Sequence, residues 1–95
     1  MAPLTERDIH DALRDLPGWE VEGQRLVFTH DFGSFRDAMA FLVRLGFEAE
    51  ELNHHPEIRN VYGRVELALT THDAGNRITE LDVELARRVL QVLGA

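Results

Sequence analysis

The segment Glu50-Glu51-Leu52-Asn53-His54-His55-Pro56 concentrates side chains suited to moving protons. Histidine is the one side chain that ordinarily changes charge near neutral pH. Two of them at a helix exit, with the Glu50 carboxylate one turn earlier, supply a proton donor, a proton acceptor and a group to orient one of them. Pro56 stiffens the exit and limits how far the rings wander. His72 offers a third imidazole. It is expected to end a strand, on the face opposite Val65, Leu67 and Leu69, beside the Asp73-Ala74-Gly75-Asn76 turn. If the helix exit meets that strand end, three imidazoles and Glu50 form one acid–base site for a polar ring compound. Without that meeting, the same residues are a solvated loop and a turn histidine. His10 and His30 are expected at the surface with no role.

Three histidines and a carboxylate also suit zinc or iron. Two features argue against a metal. The helical spacing that favours one, two His at i and i+4, is missing. Adjacent histidines on a loop also coordinate one ion less readily. The chain has no cysteine, so disulfides and thiolate ligands are excluded. A site with no metal and no cofactor is the expectation.

The elements that must position these residues are legible from punctuation and period. Thr5 can cap a first helix running to about Leu16, with Ile9, Ala12, Leu13 and Leu16 on one face, and Pro17-Gly18 stops it. Residues 19–21 and 25–31 read as two strands around a turn at 22–24. Ser34 can cap a second helix. Phe35, Ala38, Leu42, Leu45, Ala49 and Leu52 recur in it at steps of three and four. Gly46 should cost this helix about 1 kcal/mol without ending it. Residues 58–62 and 64–71 read as a hairpin around Gly63. Thr79, with Asp82 three residues on, caps a last helix whose stripe is Leu81, Leu85, Val89 and Val92. The order α-β-β-α-β-β-α predicts an α+β domain of two layers: a four-stranded antiparallel sheet with three helices on one face.

Composition sets the outer limits. A chain of 95 residues with 44% hydrophobic residues is expected to be one globular domain, residues 1–95. The formal net charge of -7 repels phosphate backbones, so nucleic acid is not an expected partner. No signal peptide and no membrane span is visible, and the expected location is the cytoplasm.

Taken together, the residues resemble the pterin-4a-carbinolamine dehydratase (4a-hydroxytetrahydrobiopterin dehydratase) family. The family pattern is a charged residue, three residues, His, His or Asn, Pro or a small residue, then an aromatic, a His and an Asp. Here it reads Glu50, His54, His55, Pro56, Tyr62, His72 and Asp82, and the stretches LVFTHDF (26–32), NVY (60–62) and LTTHDAG (69–75) are also family-like. The resemblance implies a metal-free dehydration of the 4a-hydroxy-tetrahydropterin left by aromatic amino acid hydroxylases. The product is the quinonoid dihydropterin, which serves tetrahydropterin recycling. It implies a homodimer or homotetramer, and His54, His55 and His72 as site histidines, with His54 or His72 the general acid. By the same match Glu50, Asn53, Pro56, Thr71, Asp73 and Asp82 line or support the pterin pocket. Asp82 also reads as a plain helix-capping acid, and Tyr62 as a surface or interface residue. Tyr62 and the last helix, through Leu90 and Leu93, are the expected interfaces.

The chain departs from the common pattern at three places. Ile58 stands where Trp is frequent. Asn53 stands where Asp also occurs, which leaves more of the orienting role to Glu50. The turn after His72 is one residue longer. The alternative to an enzyme is a non-catalytic dimerisation or binding module, the second role of mammalian members. A related activity on another pterin is a third reading.

Overall fold

The computed structural model describes residues 1–94; Ala95, the end of the expected domain, lies outside the described residues. Thr5 and Asp8 form a reciprocal capping box at the start of α1 (Glu6–Leu13), each side chain bonding the other's backbone N–H. The helix stops three residues short of the expected Leu16. Asp15 and Leu16 instead donate to Ala12 and Leu13 three residues back. The residue before a proline avoids the helical region, and the resulting turn swings Leu16 into the core. Trp19 stays in that turn, donating its N–H to the Leu16 carbonyl, so β1 is Glu20–Glu22 rather than 19–21.

The next elements are β2 (Arg25–Asp31), α2 (Phe35–Leu52), β3 (Glu57–Val61), β4 (Arg64–Leu69), a 3-10 turn (His72–Ala74) and α3 (Glu80–Leu93). Ser34 caps α2 as expected, and the helix runs through Gly46. The four strands form one antiparallel sheet in the order β1-β2-β4-β3. Tyr62 takes the left-handed conformation (φ 52°), which ends β3 one residue early. Gly63 is required by proximity: a side chain there would press on the Ser34 backbone, 3.0 Å from its nitrogen, while Phe32 N–H donates to the Gly63 carbonyl.

Parity explains the layers. Leu26 and Phe28 of β2 and Val65, Leu67 and Leu69 of β4 share one face and form the core with Phe41, Leu45, Val83, Leu85 and Val89 of the helices. The opposite face carries Arg25, Thr29, Glu57, Arg59 and Glu66, with Arg25–Glu57 and Arg59–Glu66 ion pairs. His30 departs from the surface expectation. It pairs with Val65 on the apolar side, and its ring lies parallel to Phe28 and meets Phe32 at a tilt. Leu90 likewise turns into the core rather than outward. Among the described residues no helix is long and apolar enough to cross a membrane.

Candidate active site

The C-terminus of α2 determines where the paired histidines point. Asn53 sits in the left-handed region (φ 50°), which asparagine tolerates better than most residues. The His54 N–H then donates back to the Ala49 carbonyl and the Asn53 N–H to Glu50, closing the helix. This reversal turns neighbouring side chains apart. The His54 ring goes inward, only 9% exposed, and the His55 ring outward, 61% exposed.

Each ring finds a different carboxylate. His55 Nε2 lies 2.8 Å from Glu50 Oε1, at the surface. His54 Nε2 lies 2.5 Å from Asp82 Oδ1, inside the protein. Asp82 has no exposed surface. Its other oxygen, Oδ2, accepts from the Thr71 hydroxyl (2.7 Å) and the Thr79 backbone N–H (2.9 Å), and the Thr71 and Thr79 hydroxyls are 2.6 Å apart. Asp82 thus completes the capping box of α3 and holds His54 with the same carboxylate. Glu50, expected to orient one of the two rings, lies against His55.

The third imidazole arrives from the sheet. β4 ends at Leu69, where its partner β2 begins, and Thr71 is pinned by a bridge to Arg77. His72 therefore opens the 3-10 turn instead of ending the strand. Two left-handed residues, Gly75 (φ 74°) and Asn76 (φ 60°), return the chain, and Asn76 Oδ1 lies 3.0 Å from His72 Nδ1. A cleft of about 260 Å³ is lined by Asn53, His54, His55, Thr70, Thr71, His72, Asp73 and Leu81. It brings together all three histidines with the expected Asn53, Thr71 and Asp73. Glu50 and Asp82 reach it only through His55 and His54, and Pro56 is not on its wall.

Thr70, Leu81 and Thr79 are not among the expected site residues. Thr79 carried a signal, the helix cap, but nothing local tied that cap to a histidine 25 residues earlier. A larger depression, about 410 Å³, lies on the charged face of the sheet. Its Arg25 and Arg59 are each paired with glutamates, so the histidine cleft is the better site for acid–base chemistry. Among the described residues no three His, Asp or Glu side chains converge as a metal-ion site. The cleft can donate and accept protons from imidazoles on two different elements.

Residues 2–92 match the family model described as pterin 4 alpha carbinolamine dehydratase. Two relatives carry the name "putative pterin-4-alpha-carbinolamine dehydratase". The one from Opitutus terrae is 59% identical over 90% of this chain and 88% of its own. The one from Thermomicrobium roseum is 49% identical over 97% of this chain and 98% of its own. Among solved structures, a transcriptional coactivator/pterin dehydratase from Brucella melitensis superposes with a TM-score of 0.89 at 39% identity, covering 95% of this chain and 97% of that one. A pterin dehydratase-like protein, identified as a RuBisCO assembly factor in the alpha-carboxysome, superposes at 0.66 with 26% identity, covering 81% and 88%.

Proposed function

This chain belongs to the pterin-4a-carbinolamine dehydratase family and is by homology a hydro-lyase; we propose that it converts 4a-hydroxytetrahydrobiopterin to quinonoid dihydrobiopterin and water by histidine acid–base catalysis. The observation that carries the reading is the single cleft lined by His54, His55 and His72. Dehydration breaks the C4a–O bond and forms a C4a=N5 bond. The leaving hydroxyl must receive a proton to depart as water, and N5 must give one up. An imidazolium supplies the first and a neutral imidazole takes the second, so the two rings exchange roles over one turnover. Imidazoles, with ordinary pKa near 6.5, populate both forms at neutral pH.

His54 and His72 stand on different elements, α2's exit and the turn after β4, and each is held by a partner. That supports them as acid and base, with Glu50-bound His55 binding and orienting the ring and Asn53, Thr71 and Asp73 lining the pocket. In this reading the enzyme works in the cytoplasm beside an aromatic amino acid hydroxylase and serves tetrahydropterin recycling. Self-association is part of the proposal. α2 carries a second apolar face, with Phe35, Val43 and Phe47 each more than half exposed, and Tyr62 stands out from the β3–β4 turn.

The test is a coupled assay in which a hydroxylase generates the 4a-hydroxypterin. Added protein should accelerate its decay to the quinonoid form. His54→Ala and His72→Ala should each lower turnover by about 10²-fold or more. Unchanged turnover in both would remove the acid–base assignment. The alternative, a non-catalytic binding module, has no need of three imidazoles in one cleft, and that favours the enzyme.

A further inference from the structure

Taken as an ionised carboxylate, Asp82 fixes how His54 is held. A hydroxyl has one proton to give, and an ionised carboxylate only accepts. The Thr71 hydroxyl gives its proton to Asp82 Oδ2. The contact between the two hydroxyls must then run from Thr79 to Thr71, while the Thr79 oxygen accepts from the Leu81 N–H at the helix start. The Thr79 N–H also donates to Oδ2. Every proton in this buried set is committed, and Oδ1 is left to accept from His54 Nε2, which must carry hydrogen. His54 Nδ1 has no hydrogen-bond partner among the described residues and is not sealed from solvent.

We propose that Asp82, Thr71 and Thr79 form a positioning unit that fixes His54 as its Nε2–H tautomer, so that Nδ1 is the nitrogen that exchanges a proton with the pterin. The role of Nδ1 rests on the dehydratase reading; the tautomer does not. None of the three touches the reacting atoms through this role. They act through His54, from 17 to 28 positions along the chain. The same carboxylate caps α3, so the start of that helix and the working nitrogen are one hydrogen-bonded piece. In such an arrangement the orienting acid selects a tautomer more than it supplies a charge, and the wrong tautomer has the proton where the lone pair is needed.

The tautomer can be read directly by two-bond 1H–15N correlation spectra of the imidazoles, recorded on the free, full chain above the imidazole titration range. Wild-type His54 should show the Nε2–H pattern. Asp82→Asn keeps the shape but exchanges one acceptor for a donor. Its oxygen is needed by the Thr79 N–H and the Thr71 hydroxyl, so its NH₂ faces His54 and should force the Nδ1–H form. Turnover should fall about 10²-fold, with KM changed only a few-fold. Thr71→Val leaves the carboxylate but removes a donor that aims it. It should cost about tenfold in turnover, the worth of one hydrogen bond to a charged group.

A wild-type Nδ1–H pattern overturns the proposal even if Asp82→Asn does not fold. So does a folded Asp82→Asn protein with unchanged tautomer or turnover, and wild-type turnover in Thr71→Val removes Thr71 from the unit. Because the spectra need no substrate, a protein with the Nε2–H pattern and no dehydratase activity would count against the functional reading alone.

Discussion

Among the described residues, His54 and His72 line the cleft with opposite nitrogens free of hydrogen bonds. His54 is held through Nε2 by a buried carboxylate, and His72 through Nδ1 by the exposed Asn76 amide. The second arrangement is open to a clean test. Asn76 does two things: its side chain bonds His72, and its backbone occupies the left-handed region. Asn76→Gly removes the first and keeps the second. Thermal stability should stay within about 0.5 kcal/mol while turnover falls several-fold, because the His72 ring then rotates freely. Asn76→Ala should lose the same activity and a further ~1 kcal/mol of stability from left-handed strain. Full activity in Asn76→Gly would show that the amide bond to His72 is incidental. At this scale the sequence shows the proposed acid–base residues and Glu50, but not that Asp82 holds His54. Glu50, His54 and His55 lie within six consecutive residues at the exit of α2 and His72 in a short polar turn, so composition and spacing reveal them. Asp82 is 28 residues from His54, and its local setting is fully explained by a helix cap. A residue with two jobs shows only the local one in a linear reading.

Elements were legible where one face is buried and less so at their ends. The alternation in β4 and the caps at Thr5, Ser34 and Thr79 came through because each is a local signal. Ends are decided by neighbours instead. β4 stops where β2 runs out, and this moves His72 from strand to turn. Gly63 is another neighbour effect, since the β3–β4 turn lies against the Gly33–Ser34 backbone at the start of α2. Gly63→Ala should therefore destabilise by about 1–3 kcal/mol, the usual cost of overpacking, measured as a lower urea midpoint. A neutral effect would mean that the α2 cap shifts freely. The pairing of α2 with α3 has its own polar clamp. Arg88 reaches Glu51 (2.8 Å), Glu48 and Glu84 (both 3.2 Å), and its guanidinium is held above arginine's ordinary range, chiefly by the Glu51 hydrogen bond and then by Glu84. The sign follows from the raised value. The contribution is fully present below the unfolded arginine range and is lost only above it. Arg88→Gln should lower Tm by the same amount at any pH from neutral to about 11. The gap should narrow in ~1 M salt, where screening acts over about 3 Å. A deficit unchanged by salt would assign the role of Arg88 to its packed stem rather than its charge.

At the scale of the molecule, the apolar pattern of α2 contains more than one sheet can cover. Its run from Phe35 to Leu52 reads as one stripe in the sequence. In three dimensions it divides into two adjacent sectors. Ala38, Phe41, Leu45 and Ala49 enter the core, while Phe35, Val43 and Phe47 stay 55%, 58% and 71% exposed. A mean stripe hides this split, because steps of three and four fit either sector. The same geometry adds a second candidate interface. Leu90 is spent on the core, while Phe35, Val43 and Phe47 give α2 unburied apolar area in addition to the exposed Tyr62. Exposed apolar rows on a helix are costly to leave in water, and a second copy presenting the same row is self-complementary. Phe47 has the most to bury, so Phe47→Glu places charges face to face wherever two copies meet through α2. Sedimentation velocity should find the wild type as a dimer or tetramer at micromolar concentration and Phe47→Glu as a monomer with unchanged circular dichroism. A wild-type monomer, or a variant that still assembles, would move the interface off α2. His54 and His72 both lie in one chain's cleft. The monomer should therefore keep most of its turnover, and losing activity on dissociation would mean that the cleft is completed by a neighbouring copy.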